Sequence, residues 1–289
     1  MDKKTLLVSV SLWAAAVGSV KAEDVRLDVS QAGFSAALVE QLVDEYNSQS
    51  ADGTRIVLTK GDGQSADGRV VLQEKDGESI GRFVVLPIAN VKNAFLASAK
   101  AKKGLTPKVE RQIFIERDEL EALEEGYSPK EIKAGTVFSL TGRKSLTSEL
   151  LAHKYGTTSA DIKGRKVVAS DGAIISIIKK NDDAIGFNIP ALIYNSTSRL
   201  PEERIAVLNV DLNGDGKVAD EERLALRDVD SLVSYLEGIS RIDRPVGNVT
   251  VESSNVALRH FVDWVAASGQ QVVHSNGFLV PRARLTARR

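Results

Sequence analysis

From Val25 onward, short β-branched runs alternate with amphipathic stretches at helical spacing, and this alternation constrains the fold more than any other feature. The strand-like runs are VRLDVS, RIVLT, RVVLQE, RFVVLPI, Thr136–Phe138, Lys166–Ala169, Ile205–Val210 and Asn248–Glu252. Between them lie helical patterns: Leu38, Leu42, Val43 and Tyr46; Pro107 to Phe114; Leu150, Leu151 and Tyr155; Ile174 to Ile178; Glu221 to Gly238; Ala257 to Ser268. Ala89–Lys103 and the charge-rich residues 117–134 also read as helical, and Pro87 is expected to end its strand. Strands alternating with helices of this length predict an α/β fold with mostly parallel sheets and flanking helices.

The first residues read differently. Lys3 and Lys4 precede an apolar stretch from Leu6 to Val17, then Gly18, Ser19 and Ala22. A charged start, a short apolar middle and small residues at the end predict a signal peptide over residues 1–22. Removing it takes three lysines and one aspartate from a chain of formal charge −1, leaving −3 over 267 residues. A mildly acidic chain is a poor non-specific binder of nucleic acid. No later apolar run reaches the length of a membrane span. With no cysteine there are no disulfides, thiolate nucleophiles or sulfur metal sites. The expectation is a soluble monomer in a bacterial periplasm or medium.

Thr136 to Gly156 concentrates the polar chemistry. Thr141, Ser145, Thr147 and Ser148 crowd the point where strand gives way to helix, with Arg143 and Lys144 among them. A helix start offers unpaired N–H groups and partial positive charge, so hydroxyls and a guanidinium beside it suit a small oxyanion. An ordinary N-cap with two solvated cations explains the same residues.

A second motif is more specific. Asp211-Leu-Asn213-Gly-Asp215-Gly216-Lys217 through Glu222 matches the twelve-residue EF-hand calcium loop. Asp211, Asn213 and Asp215 supply side-chain oxygens, Lys217 a carbonyl and Glu222 a bidentate carboxylate. Ala219 stands at the ninth position, where water must substitute, and the preceding segment reads as strand. The expectation is a lone structural Ca2+ site.

The exported part resembles phosphate-binding solute receptors of ABC transporters, in the type II periplasmic binding protein superfamily. The resemblance rests on Gln31-Ala-Gly33-Phe34-Ser35, on Leu105-Thr-Pro with Ile113-Phe114, on Thr141-Gly142-Arg143-Lys-Ser145-Leu-Thr147, and on SDGAIISIIKKNDDAIGFN from Ser170. The C-terminal Phe261-Val-Asp-Trp264, Gly269-Gln270 and Gly277-Phe278 add to it. The family's Ser-Gly-Thr stands here as Ser145-Leu146-Thr147. The resemblance implies two lobes: 23–95 with 190–289 as lobe I, and 96–189 as lobe II. It implies phosphate or a similar tetrahedral oxyanion held between them by Gly33, Phe34, Ser35, Thr141, Gly142, Arg143, Ser145, Thr147, Ser170, Asp171 and Gly172. An aspartate, Asp171 or Asp62, would accept the proton of hydrogen phosphate, and an ABC permease would be the partner.

Two alternatives remain open at this stage. One is a calcium-stabilised exported surface or matrix protein on the same fold, without a transport role. The other is a phosphoryl-transfer or hydrolytic enzyme on the same anion site, although no G-x-S-x-G elbow appears. His153, His260 and His274 show no ligand spacing, and Trp264 falls on an apolar helical face.

Overall fold

The computed structural model describes residues 23–50, 54–61, 65–116, 132–141, 146–167 and 170–281. The expected leader, Asp62, most of the charged helix expected over 117–134, and Gly142, Arg143 and Ser145 lie outside these residues. Two five-stranded sheets organise the rest. The first has the order β2-β1-β3-β10-β4, from Glu23–Asp28 (β1), Thr54–Thr59 (β2), Gly68–Gln73 (β3), Ser79–Val84 (β4) and Val246–Ser253 (β10). The second has the order β7-β6-β8-β5-β9, from Leu86–Asn90 (β5), Thr136–Leu140 (β6), Arg165–Val167 (β7), Ala184–Asn188 (β8) and Ile205–Val207 (β9). The helices are Ala36–Gln49 (α1), Ala99–Lys103 (α2), Pro107–Phe114 (α3), Leu146–Lys154 (α4), Asp171–Lys180 (α5), Pro190–Ile193 (α6), Asp220–Ala225 (α7), Val229–Gly238 (α8), Val256–Ala267 (α9) and Gln270–Ser275 (α10).

Each sheet holds a parallel set, β2-β1-β3 in one and β7-β6-β8 in the other. Antiparallel pairing is commoner than the alternating pattern predicts. Strand β10 runs against β3 and β4, and β5 runs against β8 and β9. The reason is the crossing between sheets. RFVVLPI is one apolar run in sequence but two strands in space, since β4 ends at Val84, Val85 crosses, and β5 starts at Leu86. Pro87 sits inside β5, where its carbonyl accepts from Leu208 N–H at 3.0 Å. The return crossing runs through Arg244 and Pro245 into β10, and Val85 N–H donates to the Pro245 carbonyl at 3.0 Å. By sheet membership the halves therefore divide at these crossings, so β5 and β9 belong with 96–189 rather than with lobe I.

Polar side chains override helical periodicity at two places. In Ala89–Lys103, Asn93 Oδ1 accepts from Phe95 N–H at 2.8 Å while its Nδ2 donates to the Ala134 and Ala184 carbonyls. Locked in that turn, the chain becomes α-helical only after Ser98, whose hydroxyl caps Ala101. The helix expected over 221–238 is broken because Asp228 accepts from Ser231 N–H at 2.8 Å and caps α8.

The core follows the apolar faces. Tyr46, Phe261 and Trp264 join α1 to α9, with Tyr46 and Phe261 rings 5.3 Å apart and Tyr46 and Trp264 rings 5.5 Å apart. In the second half, Phe114 of α3 meets Phe187 of β8 edge to face at 5.6 Å. Ile174 and Ile178 of α5 lie over Gly186.

One ionic cluster ties the crossings to the second half. Arg244, wholly buried, donates through Nε and Nη2 to the Val85 carbonyl and grips both Glu110 oxygens at 2.7 and 2.5 Å. Tyr155 donates to Glu110 at 2.5 Å, and Lys154 lies 3.1 Å from Asp243. Burial pushes the Glu110 carboxyl up, but the Arg244 and Lys154 charges and the hydrogen bonds outweigh it and hold it below its ordinary 4.5. A depressed carboxylate stabilises the fold above its unfolded value and loses that contribution as pH falls through the folded one. Glu110→Ala leaves a buried guanidinium uncompensated and is expected to cost about 3–5 kcal/mol in urea unfolding at neutral pH. The gap to wild type should narrow below pH 4.5; a variant within about 1 kcal/mol of wild type, in the range of an exposed pair, would contradict this role.

Candidate functional site

In α/β sheets, ligands bind beyond the carboxyl ends of parallel strands, where loops lead into helix N-termini. Both parallel sets present such ends. In the second half the antiparallel register pairs Leu86, first residue after the crossing, with Asn188, the last of β8. The carboxyl ends of β6 and β8 therefore lie at the end of the sheet where the chain crosses. In the first half, β3 pairs with β10 so that Gln73 faces Asn248, two residues into β10 from that crossing.

Five expected residues gather at the second half's carboxyl ends. Thr141 follows β6, half-exposed, its N–H donating to the Val167 carbonyl at 3.0 Å. Thr147 lies in the first turn of α4, and Ser170, Asp171 and Gly172 form the start of α5. The two helix starts are joined: the Thr147 hydroxyl donates to Asp171 Oδ1 at 2.9 Å. Asn188 Nδ2 donates to the Asp171 carbonyl at 2.8 Å, which fixes α5 to the end of β8. Ser170 is exposed and its hydroxyl makes no capping bond to the first α5 amides. Ser148 turns inward and donates to the Leu140 carbonyl.

The first half contributes the turn after β1. Gly33 is exposed with φ 53°, a left-handed value that glycine adopts without steric cost, and Leu72 lies 3.1 Å from where a Cβ would stand. Phe34 directs its ring onto Phe83 at 4.9 Å. Ser35 is fully buried and its hydroxyl donates to the Ala32 carbonyl at 2.7 Å. No hydrogen bond joins this turn to Thr141, Thr147 or Asp171 among the described residues. The Ser35 and Thr147 hydroxyls, expected as donors to an anion, are thus committed to protein acceptors. Among the described residues, the backbone amides left without a protein acceptor here are those of Gly33 and Gly172, since the Asp171 N–H is turned to its own carboxyl.

Two contacts carry signals that sequence patterns did not provide. His153 Nδ1 lies 2.8 Å from Glu74 Oε2, linking the end of α4 to the residue after β3, and so one half to the other. The Arg244–Glu110 pair spans 134 positions. Nothing in local spacing marks either.

Burial is the largest influence on the Asp171 carboxyl and drives it above its ordinary 3.8, against the Thr147 bond and its own backbone N–H. The folded state therefore favours the protonated acid more than the unfolded chain does, and ionising it costs stability as pH rises through the raised value. Asp171→Asn is expected to raise the thermal midpoint at pH 8 relative to wild type, with the gain vanishing as pH falls below the ordinary value of 3.8. A loss of stability at pH 8 would contradict the assignment.

The calcium-type loop has oxygen donors of the right kind. Asp211 is buried, and its two oxygens accept from Gly214 and Gly216 N–H at 2.6 and 2.8 Å. Gly214 and Gly216 both have positive φ. Glu222, also buried, accepts from Leu212, Asn213 and Ala219 N–H. Asn213 and Asp215 accept from Asp215 and Lys217 N–H. The loop is closed by its own amides, and no cluster of three or more acidic or histidine side chains close enough to hold a metal occurs among the described residues. Carboxylate and amide oxygens keep second lone pairs, so the donor chemistry fits Ca2+.

No protein-family model and no curated protein sequence matches the chain. Solved structures do. A putative phosphate ABC transporter substrate-binding protein with bound phosphate from Clostridium perfringens is 14% identical, with a TM-score of 0.52 over 89% of this chain and 99% of that one. An ABC-type phosphate transport receptor from Vibrio cholerae is 10% identical, with a TM-score of 0.51 over 90% and 100%. At these identities the likeness is one of fold, and it extends over nearly the whole of both proteins: the chain has the two-lobed fold of type II periplasmic binding proteins.

Proposed function

We propose that this chain is an exported solute-binding protein for phosphate or a similar tetrahedral oxyanion, delivering it to an ABC permease and catalysing nothing itself. One observation carries the reading. The helix starts of α4 and α5 meet through Thr147 and Asp171 at the sheet end where the chain crosses between halves. The anion is held there by the backbone amide of Gly172 at the start of α5, with the Gly33–Phe34 turn closing from the other half. Asp171 accepts a hydrogen bond from the proton of hydrogen phosphate on its second oxygen, because a half-buried carboxylate beside an anion needs a shared proton. Sulfate, fully ionised, brings none and is rejected. The expected periplasmic location and permease partner are supported by the two fold relatives, one described as a phosphate ABC transporter substrate-binding protein and the other as an ABC-type phosphate transport receptor. Among the described residues no helix is long and apolar enough to cross a membrane. Calorimetry on refolded, phosphate-free protein should give saturable 1:1 binding of phosphate and none of sulfate; Asp171→Asn should narrow that preference. Folded protein giving no heat with phosphate, molybdate or sulfate would end the reading.

A second reading has its own support. Ser35 and Thr147 spend their hydroxyls on protein acceptors, which favours a calcium-stabilised surface or matrix protein that keeps the fold without transport. Asp211, Asn213, Asp215, the Lys217 carbonyl and Glu222 would hold the ion and fasten the loop to α7. A ligand bound only by the folded state raises its stability by mass action. Calcium chloride should raise the melting temperature, chelator should reverse it, and Glu222→Gln should abolish the difference. An unchanged melting curve at millimolar calcium, the range of extracellular modules, would remove the ion from the account.

A further inference from the structure

The far end of the second sheet carries a separate polar cavity of about 620 Å3, at the amino ends of β6, β7 and β8. It lies opposite the crossing, away from Thr147 and Asp171. Four cations line it, Lys92, Arg165, Lys180 and Arg204, against two carboxylates, Asp182 and Asp183. Their pairing is uneven. Asp182 takes both Arg204 at 2.6 Å and Lys92 at 3.5 Å, while Asp183 accepts from the Thr136 hydroxyl at 3.2 Å. Among the described residues Arg165 and Lys180 have no carboxylate partner, so four cations face two carboxylates with two positive charges in excess.

The backbone is built to hold this arrangement. Gly164 has φ 83°, and a Cβ there would lie 2.3 Å from the Val137 carbonyl, so only glycine lets the chain hug β6 and bring in Arg165. The Arg165 guanidinium then stands 5.9 Å from the Phe138 ring centre. Arg204 adopts φ 66°, costly for a residue with a side chain, and its Nε is shielded from solvent with no acceptor among the described residues. Backbone strain and an unsatisfied donor concentrated on one cavity residue are typical of sites kept for binding.

We propose that this cavity binds a phosphomonoester of a small organic molecule, independently of the interlobe anion. A phosphomonoester carries about −1.5 to −2 charge near neutral pH and three acceptor oxygens. That matches the two unpaired cations, with the planar Arg165 fork taking two oxygens and Lys180 the third. The cavity volume is in the range of sites for small organic ligands, so the remaining space holds the organic part beside Phe138.

The test titrates the full chain with adenosine 5′-monophosphate and with glycerol 3-phosphate, in saturating inorganic phosphate so that the interlobe site is filled. Saturable heat from at least one ester is expected. It should weaken at least tenfold in Arg165→Ala/Lys180→Ala, two exposed changes that break no hydrogen bond, and persist in Asp171→Asn. Persistence in Asp171→Asn separates this site from the interlobe one, whose failure leaves the ester result standing. No heat from either ester with protein shown folded by circular dichroism would overturn the proposal. So would binding unaffected by the double variant, or binding lost in Asp171→Asn.

Discussion

The Arg244 guanidinium is the interaction on which the two-sheet arrangement depends. It lies where the chain passes from one sheet to the other and back, and it addresses both passages, binding the Val85 carbonyl of the first from the start of the second. Its remaining donors close on Glu110 of α3, so the crossings are fixed to the second half. A fully buried charge is tolerable only when its partner and hydrogen bonds are complete. Glu110 and the Val85 carbonyl complete them for Arg244, while Tyr155 and Lys154 add their support to Glu110. The consequence is geometric: the crossing strands keep one position, and the carboxyl ends of both parallel sets keep theirs relative to it.

From that frame the site follows. Helix N-termini collect at strand carboxyl ends in any βα unit, but a ligand needs them gathered at one place. Asn188 and the Thr147–Asp171 bond do this in the second half by joining the end of β8, the start of α5 and the start of α4. The hydroxyl that joins them is thereby spent. In the proposed site, backbone amides, which cannot be mutated away, are the main donors. The calcium-type loop stands close to the same frame, since Asp243 N–H donates to the Leu212 carbonyl and Asp243 also receives Lys154.

Much of this was legible in the residues. Apolar periodicity located α1, α3, α5 and α9, because each buries one face against a sheet. Thr106-Pro107 marked the start of α3, and the Thr106 hydroxyl caps it. What periodicity missed depends on partners distant in sequence. RFVVLPI gives no sign that Val85 changes sheets, since both halves of the run are equally buried. Asn93 turns a helical pattern into strand and turn only because the Ala134 and Ala184 carbonyls await it. At the candidate site, hydroxyl-rich composition marked loops that the fold brings to the strand ends, but not which hydroxyls remain free. Ser35 and Thr147 resemble ligand donors in sequence, yet they are 0% and 2% exposed. His153, without any motif, reaches across to Glu74.

The central claim is that one small anion is gripped from both halves at once. Hydrogen–deuterium exchange with and without inorganic phosphate reads this directly, because the donors are backbone amides. Simultaneous slowing at residues 33–36 and 170–173, with α9 unchanged, is the predicted result. No slowing, or slowing confined to one of the two segments, would contradict it.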